Sequence, residues 1–157
     1  MKEGKYKKAE KYYDSIFEGI ETESLPLPDC SGKTPERGYL SMPVDTGESL
    51  VLSACEKLGV TPNILFTGVF GILMSRYSNS EESLFATIYN GRNDSRLENT
   101  VCMLVKTLPV YCSCDPKVTI QAYMTELSEQ ILSSMANDIF PFSDICAKYG
   151  INSDPVS

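Results

Sequence analysis

The fold is decided by residues 61–92, which read TPNILFTGVFGILMSRYSNSEESLFATIYNGR. Thr61 can cap a helix, and Pro62 suits its first position, where a missing N–H costs nothing. A helix is therefore predicted over residues 61–77. Apolar residues cover more than one face of this helix, so we expect it to be buried on most sides.

Two β-strands are predicted after this helix. Residues 83–89 are rich in β-formers, and Asn90-Gly91 behind them signals a turn. Residues 92–99 are polar and charged, which indicates a surface loop. Residues 101–111 are mostly apolar and predict a second strand that is covered on both faces.

Further helices are predicted on both sides of these strands, from apolar residues at helical spacing and from glycine or proline at their ends. They span residues 6–20, 46–58, 118–136 and 141–149. Residues 21–38 contain three prolines and predict an extended connector. Residues 39–44 predict a short strand that ends around Pro43.

This order of elements predicts an α/β fold, in which a small mixed sheet packs against helices. A length of 157 residues with 42% hydrophobic residues suits one domain with a substantial core. Two or three strands, however, make a narrow sheet with exposed edges. The pattern therefore indicates that part of the sheet is missing.

Composition excludes several kinds of partner. The net charge of −7 repels phosphate, so no nucleic acid is expected to bind. The most apolar run, at residues 64–74, is shorter than the roughly 20 residues that span a bilayer, and nothing resembles a targeting segment. We therefore expect no membrane association and a cytoplasmic location. The six cysteines have no zinc-binding spacing, so reduced thiols and no metal site are predicted.

The chain contains no histidine, which removes the commonest general base near neutral pH. Nucleophiles of the Ser–His and Cys–His types are therefore excluded within this chain. Arg92 follows a predicted strand and a turn, where a guanidinium can bind a carboxylate or a phosphate in bidentate fashion. The alternative, which we favour, is that Arg92 pairs with nearby backbone or Asp94 and fixes the loop.

Four stretches in order carry a resemblance to a known family: GVTPNILFTGVFGILMSRYS, LFATIYNGR, VCMLVKTLPVY and NDIFPFSDI. Together they resemble the second half of a nonribosomal peptide synthetase condensation domain, over most of residues 10–150. The resemblance implies half of a chloramphenicol acetyltransferase-like fold, in which two similar lobes meet along a substrate tunnel. Residues 1–157 are then expected to be a partial condensation domain, its second lobe, truncated before the last strands.

The resemblance also implies a division of roles. The family joins acyl or aminoacyl groups tethered to carrier proteins by forming an amide bond. Its catalytic signature, His-His followed by Asp-Gly, belongs to the first lobe and is absent here, so no catalytic residue is assigned and the fragment alone is expected to be inactive. The candidates for the tunnel wall or lobe interface are Arg92, Lys106, Thr107 and Asn137.

The same resemblance defines the expected cofactors and partners. No cofactor is expected in this fragment, because phosphopantetheine is carried by the carrier proteins. The expected partners are the missing first lobe and carrier proteins with tethered substrates. A lobe without its partner exposes apolar surface, which also predicts self-association.

Some positions depart from the family pattern, and two other functions stay open. The family pattern Ile/Val-Gly-x-Phe-Val-Asn-Thr, followed by an Arg, has its Gly, Phe, Asn and Arg replaced here by Cys102, Leu104, Lys106 and Tyr111. One alternative is a non-catalytic protein-interaction module that uses this lobe to bind a partner. The other is a lobe of a stand-alone acyltransferase that acts on a coenzyme A thioester.

Overall fold

The computed structural model describes residues 2–20, 39–43, 47–92, 95–97 and 99–151. The described helices and strands are, in chain order, α1 Lys2–Phe17, α2 Glu48–Leu58, α3 Pro62–Tyr77, β1 Glu82–Tyr89, β2 Lys106–Ser113, α4 Ile120–Ala136 and α5 Phe142–Tyr149. A turn of 3-10 helix, Ser95–Leu97, lies between the strands. The predicted connector at 21–38 lies outside the described residues.

The residues predicted to cap helices lie at helix ends in the structure. The Thr61 side chain accepts the Ile64 backbone N–H at 3.4 Å, with Pro62 in the first turn of α3. Gly59 ends α2 in the left-handed conformation, at φ 65°. The predictions of α3 and α4 are therefore confirmed, with small shifts at their ends. None of the described helices is by itself long and apolar enough to cross a membrane. Helices α2 and α3 reach that length and apolarity only when they are counted together, and the chain bends by 89° between them.

The strands β1 and β2 form an antiparallel pair in which Glu82 faces Ser113 and Tyr89 faces Lys106. The predicted α/β class is confirmed, but the two described strands do not make a mixed sheet. The prediction for residues 101–111 is wrong over its first half, since β2 begins only at Lys106. Because β1 ends at Tyr89, no described strand lies opposite the earlier residues. Residues 39–43 of the predicted strand at 39–44 are irregular and exposed, so this prediction is wrong over the described residues, and residue 44 lies outside them.

The outer edge of β2 is closed by α4. The Gln130 side chain accepts the Tyr111 backbone N–H at 3.1 Å and donates to the Tyr111 carbonyl at 2.9 Å. Pro109, two residues earlier on the same edge, has no N–H to offer. A further strand therefore cannot pair with β2 along this part of its edge.

The helix α3 packs on β2 and α4 through its small residues. A Cβ on Gly68 would lie 2.7 Å from the Sδ atom of Met124, and one on Gly71 would lie 2.6 Å from the Sγ atom of Cys112. The Tyr123 hydroxyl donates to the Gly68 carbonyl at 2.9 Å. The two glycines therefore allow α3 to pack closely on its neighbours, because a side chain at either position would force Met124 or Cys112 to move.

The opposite side of α3 carries large apolar side chains and is exposed. This α3 face consists of Phe66, Val69, Phe70, Leu73 and Tyr77, which are 44–71% exposed. The prediction that α3 is buried on most sides is therefore wrong. An all-round apolar pattern does not reveal which side the neighbouring elements cover. Here the buried side is the one whose small residues let the α3 backbone lie against the Met124 and Cys112 side chains.

A second core cluster joins α1 to α5. Its buried residues are Ala9, Tyr13, Phe17, Leu84, Phe140 and Ile145. At its rim, the Lys148 ammonium lies 2.7 Å from the Glu10 carboxylate and 2.8 Å from that of Asp14. The hydrogen bonds from Lys148 and Tyr149 hold the pKa of Asp14 below its ordinary value. These polar contacts fix the position of α1 on α5.

Two neighbouring tyrosines of α1 give a matched test of this packing. The Tyr12 hydroxyl donates to the Gln130 carbonyl at 2.9 Å and lies 2.9 Å from the Ser134 Oγ atom. The Tyr13 hydroxyl is buried and has no hydrogen-bond partner among the described residues. We expect Tyr12→Phe to lower the free energy of unfolding by about 1 kcal/mol, and Tyr13→Phe to leave it unchanged or raise it by up to about 1 kcal/mol. Urea unfolding followed by circular dichroism measures both, and an equal loss in the two variants would contradict this difference.

Candidate functional site at the loop end of the hairpin

The predicted site residues lie around the end of the hairpin where a long loop joins β1 to β2. Lys106 and Thr107 begin β2, and Lys106 faces Tyr89, the last residue of β1. Arg92 lies in the connecting loop, and Asn137 caps the C-terminal end of α4. A hydrogen bond from the Lys106 ammonium to the Asp138 carbonyl, at 3.3 Å, brings the start of β2 to the end of α4.

An ion pair at this point was not predicted from the sequence. The Lys106 Nζ atom lies 2.8 Å from the Asp138 carboxylate, and these side chains are 41% and 24% exposed. The Tyr89 hydroxyl donates to the same carboxylate. Burial is the larger cause that raises the pKa of Tyr89 above its ordinary value, and the hydrogen bond to Asp138 is the next. The Tyr89 hydroxyl therefore stays protonated and remains a hydrogen-bond donor at neutral pH. Nothing in the sequence pattern links Asp138 to residues so far away in the chain, which is why it was missed.

The side chains of Asn137 and Thr107 have structural neighbours. The Asn137 side-chain amide donates to the Ser133 carbonyl at 2.9 Å, and its backbone N–H also closes the last turn of α4. Thr107 is half-buried in β2, opposite Ile88. The roles of Asn137 and Thr107 in a tunnel or interface stay predictions.

Arg92 binds the backbone of its own loop. One terminal nitrogen of its guanidinium donates to the Leu97 carbonyl at 2.7 Å and the Thr100 carbonyl at 3.0 Å, and the other donates to the Cys102 carbonyl at 3.1 Å. The loop-fixing alternative for Arg92 is therefore confirmed with backbone partners, and Asp94, the other partner considered, lies outside the described residues. A ligand-binding role for Arg92 stays a prediction.

The thiols near the hairpin do not form a nucleophilic site. All five described cysteines are free, and burial raises the pKa of Cys112 to about 11, so it is a thiol at neutral pH. The part of the chain that the structure describes contains no cluster of residues able to hold a metal ion. A cavity of about 20 Å³ lined by Tyr111, Tyr123 and Gln130 has room for about one water molecule, not for an organic substrate.

The arrangement can therefore fix a loop and a strand end precisely, but it offers no described acid–base pair or activated nucleophile for chemistry on an acyl group. Comparison with known proteins explains this combination. The family model described as "Condensation domain" matches residues 1–155. The chain belongs to the condensation domain family.

Its curated relatives in this family are much longer proteins. Gramicidin S synthase 2 from Brevibacillus brevis is 25% identical over 154 residues, which cover 95% of this chain and 3% of that synthase. Tyrocidine synthase 2 from Brevibacillus parabrevis is 26% identical over 151 residues, which cover 93% of this chain and 4% of that synthase. The chain thus spans only a few per cent of the length of the relatives it matches.

Solved structures of condensation-type domains share the fold. The X-domain from teicoplanin biosynthesis superimposes with a TM-score of 0.77 at 18% identity, over 95% of this chain and 34% of the X-domain chain. The first condensation domain of the calcium-dependent antibiotic synthetase, in complex with a substrate analogue, gives 0.72 at 16% identity, over 98% of this chain and 35% of the other. The predicted relation to this fold is confirmed, and about two thirds of each of these structures has no counterpart in the chain.

The ion pair at the hairpin end is expected to stabilise the fold more than a surface pair does. Asp138→Asn keeps the shape of the side chain but removes the charge that Lys106 and Tyr89 share, so we expect a loss of about 1 to 2 kcal/mol in the free energy of unfolding. Glu3→Gln is the matched control, since it breaks a pair with Lys7 whose side chains are 85% and 68% exposed. That variant should lose at most about 0.5 kcal/mol. Urea unfolding compares them, and a loss no larger for Asp138→Asn than for Glu3→Gln would count against the contact.

Proposed function

We propose that this chain acts as the second lobe of a condensation domain in a nonribosomal peptide synthetase. In this proposal it walls the substrate tunnel, while a first lobe supplies the catalytic histidines. The observation that carries the proposal is the family match over residues 1–155, together with coverage of about a third of the matched condensation-domain structure. We expect this lobe to act in the cytoplasm, with the rest of the synthetase.

The chemistry of the chain supports this division of roles. Amide formation joins the amine of one carrier-bound substrate to the thioester carbonyl of another, so that a C–N bond forms, the C–S bond breaks, and the phosphopantetheine thiol is released. The amine must lose a proton, which calls for a base near neutral pH. The chain has no histidine, and Cys112 stays protonated. A base from another lobe meets this need, and carrier proteins bring both substrates to the tunnel.

The exposed α3 face supports a contact with another polypeptide. Its large apolar residues lie at helical spacing along the whole of α3, and Ile88 on β1 is 69% exposed as well. Monomeric proteins rarely leave a continuous apolar surface of this kind uncovered. We propose that the remaining part of the domain covers it, and that without such cover copies of this chain associate through it.

Sedimentation velocity over a range of concentrations tests the association of the isolated chain. We expect the wild type to form dimers or larger species. The double variant Leu73→Ser with Phe66→Ser should raise the dissociation constant of this association by about tenfold or more, because two exposed apolar contacts are lost. Leu132→Ser is the control, since Leu132 is 62% exposed on α4, away from the α3 face. A wild type that sediments as a monomer at high concentration would contradict the proposal for this face.

Replacement of a lobe tests the proposed function directly. The region of Gramicidin S synthase 2 that this chain matches is exchanged for the chain, and amide formation between carrier-bound substrates is measured by mass spectrometry. We expect product, at a rate up to about a hundredfold below that of the parent domain, because a few misplaced contacts cost a few kcal/mol of activation free energy. The same hybrid with the catalytic histidine of the host changed to alanine gives the background. A folded hybrid that makes no more product than this background would overturn the proposal.

A further inference from the structure

The loop before β2 exposes an unusual set of side chains. Val101 and Met103 are 101% and 86% exposed, and Val105 is 54% exposed. We call these three residues the apolar strip. They lie within five consecutive residues, together with Cys102, which is also exposed and at which the chain bends. The loop therefore exposes three uncharged apolar side chains close together in the chain.

This loop is held in place although it belongs to no sheet. The three hydrogen bonds from the Arg92 guanidinium reach carbonyls at Leu97, Thr100 and Cys102, so a single side chain binds the described part of the loop at three points. Gly91, at φ 65°, lies so close to the loop that a Cβ there would clash with the Leu104 carbonyl oxygen. Arg92 and Gly91 thus fix the two sides of the segment that carries the strip.

A rigid, exposed and apolar segment has the properties of a preformed contact surface. A partner that binds it does not have to order it, so less conformational entropy is lost on association. The strip contains no ionisable group that could recognise a charged ligand. We propose that Arg92 is a positioning residue, whose guanidinium holds the apolar strip in place to contact the first lobe of the condensation domain. This inference rests on the proposed function.

The first lobe is the occupant that the observations favour. About two thirds of the matched condensation-domain structure lies outside the region that this chain covers, so a large polypeptide surface has to meet this lobe. The strip leads directly into β2 at Lys106, beside the predicted interface residues.

The test separates the shape of the Arg92 side chain from its charge. Arg92→Lys keeps the positive charge, but the single lysine nitrogen cannot reproduce the hydrogen bonds that two guanidinium nitrogens make to three carbonyls. Arg76→Lys is the control, because it makes the same change at an exposed position of α3. In the isolated chain, hydrogen exchange of the Thr100 amide, which donates to the Leu97 carbonyl at 3.1 Å, should become at least about tenfold faster in Arg92→Lys and stay unchanged in Arg76→Lys. Equal exchange in the two variants would overturn the inference.

A double-mutant cycle in the lobe-replacement hybrid tests the partner. The strip variant carries Val101→Ser and Met103→Ser. We expect Arg92→Lys and the strip variant each to lower kcat by about tenfold with the KM for both carrier-bound substrates unchanged, and the combined variant to fall no further, since both remove one contact. A raised KM in Arg92→Lys would identify Arg92 as a substrate ligand and overturn the inference, as would additive losses in the cycle.

The outcomes also distinguish this inference from the function on which it rests. If the hybrid that carries the unchanged chain makes no product, both the proposed function and this inference are wrong. If that hybrid makes product but Arg92→Lys gives the same exchange rates and kcat as Arg76→Lys, only this inference is wrong.

Discussion

The close approach of α3 to β2 and α4 is the contact on which the rest of the structure depends. Gly68 and Gly71 leave no room for a Cβ atom against Met124 and Cys112. Their carbonyls are also used, since the Tyr123 hydroxyl donates to Gly68 and the Ser83 hydroxyl donates to Gly71, each at 2.9 Å. Contact of this kind between the α3 backbone and neighbouring side chains requires the glycine side of the helix to face inward. The large side chains on the opposite side then point outward, so the constraint that builds the core also creates the exposed α3 face.

At the loop end of the hairpin, charged side chains bind the protein's own backbone. The Arg92 guanidinium binds three carbonyls, and the Lys106 ammonium binds both the carboxylate and the carbonyl of Asp138. Charges used in this way position the chain and are poorly placed for proton transfer. This arrangement suits a lobe that shapes a tunnel while another part of the domain carries out the chemistry.

Most of the secondary structure could be predicted because its signals are local. Thr61 with Pro62, and Gly59 in the left-handed conformation, define helix ends through contacts within a few residues. The second strand was predicted too early, because an apolar run does not show where its partner strand stops. Residues 101–105 have the composition of a strand, but β1 ends at Tyr89 and leaves them unpaired. The pairing of Lys106 with Asp138 spans 32 residues of sequence and leaves no periodic signal.

The sequence by itself determined the helices, the α/β class, the absence of histidine and the family, because each depends on composition, local capping or the order of motifs. Only the tertiary structure decided which side of α3 is buried, since that choice depends on how closely the α3 backbone approaches the Met124 and Cys112 side chains. It also decided what Arg92 binds. A guanidinium that follows a strand can bind either a ligand or its own loop, and the sequence is the same in both cases. The fold of the loop placed three carbonyls within its reach, and that geometry gives Arg92 its structural role.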